Sequence, residues 1–382
     1  MANDNPPNPL VIFAPYLPLT EPVTAGGWWI GPLSAFPGPW LNERFEGLAR
    51  RLIADYTTQQ GEPVPNPALV VSAERGADGT RPGNREWRAL QLALDLTVLD
   101  GNPPLNGDAR RYAGWTVATT DNSQIHLWPV DLEHGAVARS AGFMVEVRTA
   151  GYTIESGFNQ PASQELHWPR DRSLDGELLA ALLATFRGAH DETDARLADR
   201  LAVTAAWLSQ VWRNTVSIRF EERIVMLKTG FEALTGTSNS RASSQALEAR
   251  FRTLPLTPLQ DRLAEYLLWK PSETPTMTWH SQKGKPWAAT PLQHWFMSFA
   301  DCRNTIIHGG RLESADYHQD GSAYNGPYLF VGERVLREAC RVALATFGYS
   351  TLWKPPSLRL LSEALRPLFE RLQPEIKPPR ER

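Results

Sequence analysis

The chain reads as an α+β protein, with a strand-rich mixed domain over residues 1–175 and an all-helical domain over residues 176–382. Three observations predict this. The first part is filled with short apolar or alternating runs punctuated by Gly, Pro, Asn and Asp. The second carries long apolar stripes at helical spacing. The charge also divides near residue 195: residues 1–195 hold 14 Arg and no Lys against 24 Asp plus Glu, whereas the remainder holds 25 Lys plus Arg against 18 acids. A chain of 382 residues has length for about two or three domains.

A basic second half points to an anionic partner there, or to opposite charges that hold two domains together. No apolar run approaches the roughly 18 residues of a spanning helix, so no membrane partner is expected. The N-terminal stretch MANDNPPNPLVIFAPYLP has no basic segment before its short apolar run, which argues against a secretory signal. Cys302 and Cys340 are the two cysteines of the chain, without CxxC spacing or a Cys/His cluster. A disulfide framework and a zinc finger are thereby excluded, and a reducing cytoplasm is the expected location.

In chain order, Leu41 to Tyr56 predicts a helix with Leu41, Phe45, Leu48, Leu52 and Ile53 on its apolar face. Strands are expected at 68–74, 90–99, 112–119, 124–130 and 143–154. Trp28, Trp29, Trp40, Trp87, Trp115 and Trp128 suit either a sheet core or the lining of a ligand groove. Asp175 is placed to cap a helix reaching about residue 189. Helices follow at about 193–212 and 217–234, the latter with Phe220, Ile224, Leu227, Phe231 and Leu234 spaced as a bundle seam. Residues 236–244 read as a loop, 259–269 as a short helix, and 274–290, with its Pro and Gly residues, as a long connection. Helices are expected again at 291–308, 331–347 and 358–372.

The helix at 291–308 carries the chemistry. Leu292, Trp295, Phe299, Cys302 and Ile306 form its apolar face, Pro291 suits its start, and Gly309-Gly310 ends it. A second stripe of Met297, Asp301, Asn304 and His308 is mostly polar. Arg303 lies beside this stripe, completing R-N-x-x-x-H. A His can exchange a proton near neutrality, and a guanidinium fork can hold a phosphate and offset charge developing on it. The pair suits phosphodiester cleavage. The alternative is structural, with Arg303 bonded to Asp301 or a neighbouring carboxylate and His308 capping the last turn, where a cation favours the helix dipole. Cys302 falls on the apolar seam and reads as a buried thiol. His280, Lys283 and Lys285, interleaved with Trp279 and Trp287, suit either RNA contact or an ordinary surface loop.

At these residues the sequence resembles the HEPN superfamily of helical nucleotide-binding domains, and is most similar to its Apea-like members in bacterial defence proteins. RFEERIVMLKTGFEALTGTS, from Arg219 to Ser238, resembles the family's helix with an EALL-like signature. FADCRNTIIHGG, from Phe299 to Gly310, resembles its R-x4-6-H helix end. The resemblance covers roughly residues 193–350 and leaves the first domain without a named relative.

The resemblance implies an endoribonuclease that works without a metal or other cofactor, in a cleft between two protomers of a homodimer. Arg303 would position the scissile phosphate, His308 would act as general acid and base, and Asn304 would orient either group. The RNA's own 2′-OH would be the nucleophile. Glu232 matches an acidic position on a preceding helix and would hold Arg303 or assist proton transfer. The expected partner is RNA, with tRNA among the candidates. The expected setting is anti-phage defence by abortive infection, or a toxin. The first domain would sense a phage-derived trigger or small ligand and restrain the second. Two rival readings differ in class: a non-catalytic HEPN domain that binds RNA or nucleotide as a sensor or antitoxin, and a dimerisation scaffold.

Overall fold

The computed structural model describes residues 9–57, 61–64, 66–73, 82–100, 123–133, 136–137, 160–161, 174–188, 191–211, 219–251, 277–279, 286–310 and 328–349. These residues are mixed α and β, and they divide into two compact units at residue 187.

The first unit is built on an antiparallel sheet. Its strands are β1 (Leu10–Pro18), β2 (Val23–Ala25), β3 (Trp28–Pro32), β5 (Pro67–Ser72), β6 (His126–Asp131) and β7 (Ala136–Val137), in the order β2-β3-β5-β1-β6-β7. A short β4 (Tyr56–Thr57) pairs separately, in parallel, with β8 (Gln160–Pro161). Register is set by Phe13 opposite Leu69 in β1–β5 and by Val11 opposite Trp128 in β1–β6. Gly26 and Gly27 join β2 to β3 with φ of 54° and 79°, the pair of positive values that a twist-matched two-residue hairpin turn demands.

Helix α1 (Glu43–Ala54) starts at Asn42, whose side chain accepts the Phe45 N–H at 2.8 Å. It buries Phe45, Leu48, Leu52 and Ile53 as expected; Leu41 instead lies outside the helix and exposed. That face meets Val11, Phe13, Tyr16, Trp29, Leu69 and Trp128 in one core. Trp28, Trp29 and Trp128 are therefore core residues, and Trp40 packs against the same cluster. Replacing Asn42 with Ala is expected to cost about 1 kcal/mol in urea unfolding, because it orphans a first-turn N–H.

Residues 90–99, expected to be a strand, lie in helix α2 (Asn84–Asp100). Leu90, Leu92, Ala93, Leu94, Leu96 and Val98 are all buried. A helix covered on nearly every side loses its 3.6-residue polarity signal, and its apolar run then imitates a buried strand. Within this cover Ser123 Oγ and Gln91 Nε2 both donate to Asp95 Oδ1, at 2.6 and 2.7 Å.

Helix α3 (Gly176–Arg187) is capped by Asp175 Oδ1, which accepts the Glu177 and Leu178 N–H groups at 3.1 and 3.2 Å. The sequence assigned this helix to the second domain. It packs instead on α2 and β2, and Arg187 pairs with Glu86 of α2, so the division falls after α3 and not at residue 175.

The core of this unit contains a titratable chain. Trp128 Nε1 donates to Tyr56 Oη at 2.9 Å, and the Tyr56 hydroxyl lies 2.8 Å from His126 Nδ1. Burial lowers the His126 pKa to about 4. An unfolded His titrates near 6.5. The unfolded chain therefore binds the proton first, and stability falls as pH drops from about 6.5 toward 4, by about 1–3 kcal/mol. Urea unfolding across that range checks this, and His126→Phe should flatten the dependence.

The second unit is helical: α4 (Glu192–Val211), α5 (Phe220–Thr235), α6 (Ser240–Phe251), α7 (Pro291–Ile307) and α8 (Leu329–Leu344), with a small hairpin of β9 (Met277–Trp279) and β10 (Trp287–Ala289). α4, α7 and α8 all pack on α5. Ile224, Leu227, Phe231 and Leu234 are fully buried along the expected α5 seam. Residues 240–244, expected to be loop, instead begin α6. Asn239 Oδ1 accepts the Ala242 N–H at 3.0 Å, and the Ser243 hydroxyl donates to the Thr237 carbonyl at 2.8 Å. Serine-rich composition suggested a loop, but those hydroxyls find backbone acceptors inside the helix start. The expected strands at 112–119 and 143–154 and the helices at 259–269 and 358–372 lie outside the described residues.

Candidate functional site

Helix α7 brings the polar stripe to its position because both its ends are well determined. At its start Thr290 and Gln293 form a capping box: the Gln293 N–H donates to Thr290 Oγ1 at 3.3 Å and the Thr290 N–H to Gln293 Oε1 at 3.2 Å. Gln293 Nε2 also donates to Glu248 of α6, which ties the two helices together. At its end the Gly309 N–H donates to the Ile306 carbonyl at 3.0 Å and the Gly310 N–H to the Thr305 carbonyl at 2.8 Å. Those two bonds, with Gly309 at φ 74°, define a Schellman stop. A Cβ on Gly310 would sit 2.7 Å from Thr305 Cγ2.

Gly309→Ala is therefore expected to destabilise the unit by about 1 kcal/mol, since an L side chain at positive φ is strained. It should also lower any activity of His308, the residue that precedes the turn. Thermal unfolding and the cleavage assay described below check the two effects together.

Between these ends the helix has two faces. Trp295, Phe296, Phe299 and Cys302 are buried. Phe231 of α5 meets Phe296 edge-on at 5.3 Å, and Trp295 and Phe299 stack at 5.5 Å. The opposite stripe, Met297, Asp301, Asn304 and His308, is partly or fully exposed. Cys302 is buried on the seam, as the spacing predicted.

Arg303 and Asn304 are half-buried, and Arg303 Nη1 donates to Asn304 Oδ1 at 3.1 Å. Asn304 thus steadies the guanidinium, and its backbone carbonyl accepts the His308 N–H at 3.1 Å. Arg303 Nε is buried and has no hydrogen-bond partner among the described residues. His308 is the C-cap, exposed to solvent. Arg303 and His308 share no hydrogen bond, as five helical steps place them about 140° apart. Among the described residues no ion pair joins Arg303 to Asp301, whereas His308 does stand at the helix C-cap, as the structural alternative expected. Partial burial holds the Asp301 carboxyl above its ordinary range.

Glu232 was expected to hold Arg303 or to assist proton transfer. It pairs instead with Lys228, one turn earlier on α5, at 2.8 Å. Lys228 was not singled out in the sequence. Its side chain is 2% exposed, and its Nζ lies 5.2 Å from the Phe296 ring centre. Burial lowers its pKa, Glu232 partly restores it, and the nearby Arg303 charge lowers it further. The four-residue spacing to Glu232 was visible in the sequence. The burial, which depends on α7 crossing above, was not.

Lys283 and Lys285 lie outside the described residues, as does His280. Of the aromatic residues beside them, Trp279 is buried with its ring against His294 at 4.9 Å, so it is not a platform for a base. Trp287 is half-buried and covered by the Arg241 guanidinium at 4.5 Å.

No protein-family model, curated protein or solved structure matches the chain. Among the described residues, no helix is long and apolar enough to cross a membrane.

Proposed function

We propose that this chain is an endoribonuclease of HEPN type, in which Arg303 binds the scissile phosphate and His308 transfers protons. The observation that carries this reading is the helix end itself. A guanidinium steadied by Asn304 keeps an unused Nε–H donor, and a solvent-exposed imidazole follows five residues later. A guanidinium fork suits a phosphate and the negative charge that grows on it. An imidazole is the side chain whose ordinary pKa allows it to take the 2′-OH proton and return one to the leaving 5′ oxygen at neutral pH. The bonds balance: the 2′ oxygen forms a new bond to phosphorus, the bond to the 5′ oxygen breaks, and a 2′,3′-cyclic phosphate remains.

Since Arg303 and His308 diverge around one helix, a second protomer would supply the complementary copy of each to one RNA strand. This is why the proposal includes a homodimer. The setting proposed is defence by abortive infection, or a toxin, with the first unit as sensor and restraint. The divergence also favours a second reading, in which the site binds RNA without cutting it.

The test is incubation of total RNA in EDTA with the wild-type protein and with His308→Ala. Cleavage that survives EDTA and disappears in the variant supports the nuclease. Intact RNA in both, with binding retained, favours the non-catalytic domain. Neither cleavage nor binding by a folded dimer would leave the scaffold reading.

A further inference from the structure

We propose that Arg241, stacked on Trp287, is a second RNA contact of the helical unit: a shelf that takes one nucleotide of a strand running along α7 from Arg303. This rests on the reading of the second unit as RNA-binding and does not depend on cleavage.

Two elements build the shelf. Arg241 lies in the first turn of α6 and Trp287 opens β10, and the Arg241 Cζ stands over the Trp287 ring, 4.5 Å from its centre. The hairpin fixes the indole: Trp287 is opposite Trp279 in the β9–β10 register, and Trp279 is buried against His294 of α7. Arg241 is itself exposed, and among the described residues its side chain contacts the indole without an ion pair or hydrogen bond.

This placement does nothing for α6. A cation in the first turn meets the positive end of the helix dipole, and that turn holds no acidic residue to offset it. What the indole provides is a guanidinium held in one place by a cation–π contact while its N–H donors stay unused. Such a group stacks a base of any identity on its open face and bonds a phosphate oxygen along its edge. A nucleotide offers both groups together, whereas an acidic peptide offers the anion alone.

The shelf stands at the start of α7 and His308 at its end. The 17 residues of that helix rise about 25 Å. Several nucleotides are needed to cover that length, within the roughly 4–16 that single-strand grooves hold.

The test measures binding of 2′-O-methyl oligoribonucleotides, which lack the nucleophile, to the full-length chain. One probe is a trinucleotide and the other a mixed-sequence strand of about twelve residues, long enough to reach both sites. Arg241→Ala is expected to lower the ratio of long-probe to short-probe affinity by about ten-fold, the scale of one lost stacked base. The dependence of log K on log salt for the long probe should become shallower by about 0.7, one phosphate contact in a single strand. Arg241→Lys keeps the charge and loses the planar stack, so it should retain the salt slope and still lose several-fold in affinity. An unchanged ratio in folded Arg241→Ala overturns the proposal, and full affinity in Arg241→Lys overturns the stacking.

Where Arg241→Ala does not fold, the wild type is irradiated with a long probe carrying 4-thiouridine. A crosslink mapped to the peptide of Arg241 or Trp287 supports the shelf, and crosslinks confined to other peptides overturn it. Cleavage of natural RNA is scored separately. A lowered ratio alongside intact natural RNA rejects the nuclease and keeps the shelf, cleavage with an unchanged ratio does the reverse, and a wild type that binds neither probe overturns both.

Discussion

His308→Ala is expected to reduce RNA cleavage by about 100- to 10,000-fold, the range that positioned proton transfer contributes. The fold should remain, since the His308 ring is exposed and makes no hydrogen bond among the described residues. Its backbone N–H, which closes the helix onto Asn304 at 3.1 Å, is untouched by the substitution. Affinity for a non-cleavable RNA should change little, because Arg303 and its Asn304 partner are unaltered. Rate and affinity are therefore expected to separate, with the loss in kcat. A variant that lost affinity and thermal stability in parallel, with no specific loss of turnover, would return His308 to a helix-capping role.

Phe231→Ala is expected to cost the second unit about 3–5 kcal/mol, the range for truncating a buried aromatic residue. Phe231 is fully buried and meets Trp295, Phe296 and Phe299 of α7 at 6.3, 5.3 and 5.8 Å. Each of the three contacts is edge-on, so no neighbour can fill the space by a small slide. Urea unfolding followed by tryptophan fluorescence measures the loss. Phe231→Leu, which keeps most of the volume, should cost clearly less. Since Phe231 adjoins Glu232 and α7 carries Arg303, loosening this contact should also lower cleavage, but together with stability and not apart from it.

The contrast between these two substitutions separates what was legible in the sequence. Regular spacing exposed the α5 seam at Ile224, Leu227, Phe231 and Leu234 and the two faces of α7, because an amphipathic helix writes its environment into every third or fourth residue. The caps at Asn42 and Asp175 and the glycine stop at Gly309 act over a few residues and could be found the same way, although Asn42 itself was not singled out. Helix α2 was misread since it is buried on nearly all sides. β1 and β3 were passed over because buried strands show continuous apolar character in place of alternation, and β2 because three residues are too few to show a period. At the site, the order of Arg303, Asn304 and His308 along α7 was legible, and the pairing of Glu232 was not.

By itself the sequence determined which residues share a helix face, where α3 and α7 begin, where α7 ends, and that a polar stripe with Arg303 at its side follows the buried seam. All of these depend on interactions spanning four residues or fewer. Tertiary structure alone decided that α3 packs on α2 and β2, that Trp279 is buried against His294, and that Glu232 bonds Lys228 instead of Arg303. Each depends on which distant segment comes to lie above a given side chain. Burial by that segment sets the cost of leaving a charge unpaired, and so selects its partner.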